Sequence, residues 1–293
     1  MRRWLPPVIV VVVVAAVVGV LWLVNRQSPI PDKPPATAPA VGSCWDVASS
    51  TVTAQPPWPS TPVSCTDSHT AEVYYVGQVD HDLVRNGRAA KGQQAQINTL
   101  LMTGEARAGC LAEVGAYLGG AWRASQVSIY PAFIAPASDG FYACSVAQVA
   151  DPAGDRLVSR TASLSGALAG TAKKDLGIDC VSGAATPTSQ LSFVTCDQLH
   201  VAEFVGLYTV TPLGAPFDKA QVEDAVSHGC TSMVYDYVGV PAGKSRPDLR
   251  ISPVGPDTAA LWVGSDQTFA CYASGSLPWK GTVKNLGTRP LPH

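Results

Sequence analysis

The sequence predicts an α+β protein built from two tandem, duplicated, disulfide-stapled domains, each roughly β-β-α-β-β, behind one N-terminal transmembrane helix. Three observations carry that expectation: an uncharged run near the start, eight cysteines that split four and four, and a Cys-His-Glu motif that occurs once in each half. Composition narrows the rest. Of 293 residues, 20 are Lys or Arg and 22 are Asp or Glu, a net charge of −2, so there is no basic field to hold nucleic acid. An apolar fraction of 46% with so little net charge also excludes a long disordered chain.

The N-terminal element comes first. Trp4 to Val24 carries no charge. At 1.5 Å per residue it reaches about 31 Å, the thickness of a bilayer's hydrocarbon core. Arg2 and Arg3 precede it, which places residues 1–7 in the cytoplasm, a membrane helix over 8–25 and the bulk of the chain outside. The run is longer than the apolar region of a cleaved signal peptide. Residues 26–41 include Pro29, Pro31, Pro34, Pro35 and Pro39 and read as a semi-extended stalk.

The two domains follow from a repeat. Val63-Ser64-Cys65-Thr66-Asp67-Ser68-His69-Thr70-Ala71-Glu72 matches Val194-Thr195-Cys196-Asp197-Gln198-Leu199-His200-Val201-Ala202-Glu203, as V-[ST]-C-x3-H-x-A-E. Cys44 matches Cys180 upstream. Downstream, Cys110 with Tyr117-Leu118-Gly119 matches Cys230 with Tyr237-Val238-Gly239, Pro131 matches Pro253, and Cys144 matches Cys271. The period of roughly 130 residues indicates duplicated domains rather than a solenoid. The expected layout is domain 1 over 42–150, a Gly/Ala/Ser-rich linker over 151–173, domain 2 over 174–276 and a tail over 277–293. The middle of the linker, Leu157 to Leu164, is a candidate to finish the first sheet.

Within each half, Val73–Val79 and Phe204–Val210 are rich in β-formers and read as buried strands. Val222, Val226, Cys230, Val234 and Val238 recur at every fourth residue, an apolar helix stripe starting after Pro216. Ile97, Leu101, Cys110, Val114 and Leu118 give a looser version, weakened by Gly104 and Gly109. Final strands are expected over Phe141–Val149 and Thr268–Ala273. Four cysteines per half allow three connectivities. The order of the flanking segments favours Cys44–Cys65, Cys110–Cys144, Cys180–Cys196 and Cys230–Cys271.

Together these motifs resemble the actinobacterial septum formation family, over about residues 41–148 and 174–275. Trp262-Val263-Gly264-Ser265-Asp266 before Cys271 is similar to that family's W-x-G-D approach to its last cysteine, with Ser265 inserted. The first half has only Asp139-Gly140-Phe141-Tyr142 before Cys144. The resemblance implies a membrane-anchored, extracytoplasmic, disulfide-bonded module linked with the cell envelope and septation. It implies no catalytic residue and no ligand.

The repeated motif supplies the candidate contact residues, His69, Glu72, His200 and Glu203. Cysteine, histidine and glutamate are all zinc ligands, but an oxidised cysteine does not ligate, and residues three apart on a strand face opposite sides. The favoured reading is structural: the histidine bonds a turn backbone and the glutamate pairs with a neighbour. Hydrolase signatures are absent: there is no G-x-S-x-G and no H-E-x-x-H. Gly239-Val240-Pro241-Ala242-Gly243-Lys244-Ser245 is one residue short of a phosphate loop and follows a helix. Trp58, in a Pro-rich loop, either contacts a partner or packs on its own domain. The expectation is therefore a non-enzyme without cofactor or bound metal. Its partners would be the membrane and an envelope protein, division protein or cell-wall glycan. The alternative is an extracytoplasmic ligand- or metal-binding sensor.

Overall fold

A computed structural model describes residues 29–170, 175–183 and 191–292. The expected membrane helix lies outside the described residues; among them, no helix is long and apolar enough to cross a membrane. Residues Pro34–His293 form one compact unit.

The first half carries β1 (Cys44–Trp45), α1 (Ser49–Val52), β2 (Ala71–Gln78), α2 (His81–Ala89), α3 (Gln93–Leu118), β3 (Val127–Phe133) and β4 (Phe141–Gln148). The second carries β5 (Cys180–Ser182), β6 (Ser192–Val194), β7 (His200–Thr209), α4 (Lys219–Val238), β8 (Leu249–Val254), α5 (Ala259–Trp262) and β9 (Thr268–Trp279). Both sheets are antiparallel, ordered β1-β2-β4-β3 and β6-β5-β7-β9-β8. The second order is the first with β6 added at one edge. In the first half a single bridge, Cys44 to Val63, takes the place of the β5–β6 pairing. The outer strands β3 and β8 each carry a proline, Pro131 and Pro253, which blunts the free edge.

The cores form as the periodicities dictate. On α4 all five stripe residues are buried, and Asp218 caps the helix by accepting from the Gln221 amide. On α3 the stripe holds from Ala106 to Leu118, but Ile97 and Leu101 are exposed, and Asn98 and Gly104 are buried instead. Trp58 is buried and meets Trp45 edge-on at 5.0 Å, so the Pro-rich loop packs on its own half. The four disulfides pair in order. In the chain-entropy account they contribute from about 3 to about 4 kcal/mol each.

The segment read as a linker and the one read as a tail are both straps laid over the sheets. Residues 157–168 bridge Leu157 to Val149 and Arg160 to His69, and bury Leu164 and Leu168. Residues 279–291 bury Trp279, Val283 and Leu291. The straps dock alike on the helix ends. The Gly166 and Leu168 amides donate to the Tyr117 and Leu118 carbonyls, and the Asn285 and Gly287 amides to those of Tyr237 and Val238. These carbonyls belong to last helical turns, which have no partners of their own.

Candidate functional site

Each half buries one carboxylate between sheet, helix and strap. Along β2, Val73 joins the core around Trp45 and Trp58, while Glu72 and Tyr74 reach α3, Tyr74 through a hydrogen bond to the Cys110 carbonyl. Glu72 is fully buried and accepts four hydrogen bonds. The Tyr117 and Ser163 hydroxyls donate to Oε2 at 2.7 Å each, the Leu164 amide donates to Oε1 at 2.6 Å, and His69 Nε2 lies 3.0 Å from Oε1. His69 Nδ1 lies 2.8 Å from the Asp67 carbonyl. A carbonyl only accepts, so Nδ1 carries hydrogen, and one further proton lies between Nε2 and Oε1. Every lone-pair site of the carboxylate is thus matched by a hydrogen-bond partner.

His69 and Glu72 meet despite their spacing because β2 begins only at Ala71. His69 pairs with Arg160 in an isolated bridge, and the bend at Thr70 sets it apart from the strand, so the two-residue alternation does not run from one to the other. This corrects the expectation that the two face opposite sides.

The second half repeats the cradle. Glu203 Oε1 accepts from the Tyr237 hydroxyl at 2.5 Å and from the Thr282 hydroxyl, and Oε2 accepts from the Val283 amide at 2.7 Å. His200 Nδ1 lies 2.8 Å from the Gln198 carbonyl. Here the histidine differs. His200 is the first residue of β7, paired with Trp279 across an irregular register, and its ring meets the Trp279 ring at 4.6 Å. Its Nε2 is buried with no hydrogen-bond partner among the described residues. Arg160 holds the place in the first strap that Trp279 holds in the second.

Burial first, and then the hydrogen bond to Glu72, holds the Tyr117 hydroxyl well above the usual tyrosine value. Burial and then the bond to Glu203 push Tyr237 up to about 12. Both tyrosines therefore stay protonated at neutral pH and serve as donors. One cystine flanks each carboxylate, Cys44–Cys65 and Cys180–Cys196. The other two, Cys110–Cys144 and Cys230–Cys271, tie α3 to β4 and α4 to β9. His228 is exposed on α4 and bonds Asp224 of its own helix.

The family model for septum formation matches residues 41–271, running unbroken through both halves and the strap between them. The chain belongs to the septum formation family. No curated protein and no solved structure matches it.

In this septum formation protein the Cys-His-Glu motif builds a buried cluster in each half. The structure brings together His69 with Glu72, and His200 and Glu203 with Cys180 and Cys196. Sequence reasoning missed Tyr117, Ser163 and Leu164 and their counterparts Tyr237, Thr282 and Val283. The repeated Tyr-x-Gly after the third cysteine of each half was the signal for the tyrosines. The strap residues gave none, because the backbone amide does much of the work and any residue supplies one.

Proposed function

We propose that this protein is a single-pass, membrane-anchored, extracytoplasmic scaffold of the cell envelope that acts in septum formation without catalysing a reaction. The observation that carries the reading is the family match over both halves. The uncharged run at residues 4–24 supports the anchor, and the four disulfides support an oxidising compartment. The use of the Glu–Tyr clusters as internal braces supports a non-catalytic role: apart from His200 Nε2, their polar groups bond the protein's own turns, helices and straps. An envelope protein, a division protein or a cell-wall glycan is the proposed partner.

The test is where a C-terminal fusion of the full-length chain, with a fluorophore that matures outside the membrane, sits in dividing native cells. Enrichment at the division plane is expected. Even distribution along the membrane overturns the septal role. One observation favours a second reading, a ligand- or metal-binding sensor: His200 leaves a buried nitrogen unused.

A further inference from the structure

The two halves share one cradle, and only the first is complete. Glu72 has a donor on all four lone-pair sites. Glu203 accepts three bonds among the described residues, and its Oε2 takes only the Val283 amide. The missing partner is the histidine. His200 is fully buried, holds its ring in place through Nδ1, and has no partner for Nε2 among the described residues. An unpartnered nitrogen in a protein interior costs stability unless something uses it.

Beside it lies the Cys180–Cys196 disulfide. One donor atom from each of Cys180, Cys196, His200 and Glu203 lies within 4.8 Å of all the others. The corresponding group in the first half is Cys44, His69 and Glu72, without Cys65. There the imidazole would first have to give up its bond to Glu72.

We propose that the second half is a redox-conditional zinc site, in which Cys180, Cys196, His200 and Glu203 bind one Zn²⁺ once the disulfide between the two cysteines is reduced. Two thiolates, an imidazole and a carboxylate make a closed four-coordinate set of the kind that holds structural zinc. The electrons come from a dithiol. It gives two electrons and two protons to the Cys180–Cys196 bond and is itself oxidised to a disulfide, leaving two thiols in the protein. Zinc then displaces both thiol protons to solvent. The metal closes the loop that the disulfide closed. Access favours this bond, because Cys196 is half-buried, whereas Cys110, Cys144, Cys230 and Cys271 are fully buried. Cys44–Cys65 is the other bond with a half-buried sulfur and serves as the internal comparison.

The proposal rests on the sensor reading and not on the septal one. Metal uptake is read on purified protein and position is read in cells, so either fails alone. The experiment takes the full-length chain in detergent, reduces it natively with a phosphine, and measures tightly held zinc. Co²⁺ loading is run in parallel to read sulfur-to-metal charge transfer. The expected result is one zinc per chain when reduced and none when oxidised. The zinc should survive in Cys65→Ser and be lost in Cys196→Ser and in His200→Gln. Should those two variants not fold, the wild-type cobalt spectrum decides between thiolate ligation and none. Reduced protein without zinc, uptake that follows Cys65 instead of Cys196, or a cobalt spectrum without sulfur-to-metal charge transfer overturns the proposal.

Discussion

Glu72 shows how a buried charge becomes a structural asset. It has lost its water, and that loss is offset by Tyr117, Ser163, the Leu164 amide and the proton shared with His69. The donors come from three segments: the helix (Tyr117), the strap (Ser163 and Leu164) and the stretch before β2 (His69). Removing the carboxylate therefore disconnects all three. Glu72→Ala is expected to lower the unfolding free energy by about 3–5 kcal/mol, as breaking a buried ion pair does. Glu72→Gln is expected to cost less, about 1–3 kcal/mol. The amide oxygen can still accept from Leu164, and the Tyr117 and Ser163 hydroxyls can rotate to accept from the amide nitrogen. Denaturant unfolding of the disulfide-intact chain measures both. Equal losses would mean that the charge, and not the hydrogen-bond set, holds the site together.

Among the elements, α3 is the instructive case, because Gly104 looks like a weak point in its helical pattern. In the structure Gly104 is a point of close contact with the second half. A Cβ there would overlap the Val263 side chain, and one on Gly264 would overlap the Gly104 carbonyl. Arg107, one turn further on, donates to the Ala260, Leu261 and Val263 carbonyls at 2.9, 2.9 and 3.1 Å. Ala in a helix interior is normally better than Gly by about 1 kcal/mol. Gly104→Ala is nevertheless expected to lower the melting temperature, because overpacking costs about 1–3 kcal/mol. Gly87→Ala, which meets only the flexible end of Met102, is the control and should not lower it. This contact also explains what was legible in the sequence. The α4 stripe could be read because one helix face packs on one sheet, and 3.6-residue periodicity reports that directly. Ile97 and Leu101 misled because the buried face near Gly104 is chosen by a small residue, and a hydrophobic pattern does not register an absent side chain. The motif around His69 was visible as a repeat, but its geometry depended on where β2 begins. The straps were hidden for a different reason. They share backbone hydrogen bonds but only a two-residue hydroxyl–aliphatic match, Ser163-Leu164 against Thr282-Val283, which is too short to mark them.

At the scale of the whole molecule, the duplication has been joined into one body. Arg123 pairs with Asp266 at 2.5 Å, the Gln126 amide donates to the Leu176 carbonyl at 2.6 Å, and the Phe193 amide donates to Ala150 at 2.9 Å. With residues Pro34–His293 forming one compact unit, the halves are expected to unfold together. High pH supplies a test that loads both halves at once. Burial pushes Tyr130 and Tyr142 in the first half, and Tyr237 and Tyr272 in the second, up to about 12 from an ordinary value of 10.0. Burial holds Tyr74 and Tyr117 higher still. A phenol that resists ionising when folded, and ionises readily when unfolded, makes the unfolded state bind fewer protons in that window. Its contribution is complete below pH 10 and is lost as pH rises towards 12. A spectrophotometric titration with parallel circular dichroism should therefore show these tyrosines ionising late, in one step that coincides with loss of structure. Two separated steps would mean that the halves are independent domains despite their contacts. Phenols that titrate near 10.0 with the fold intact would mean that the helix–sheet–strap cradle is open to solvent.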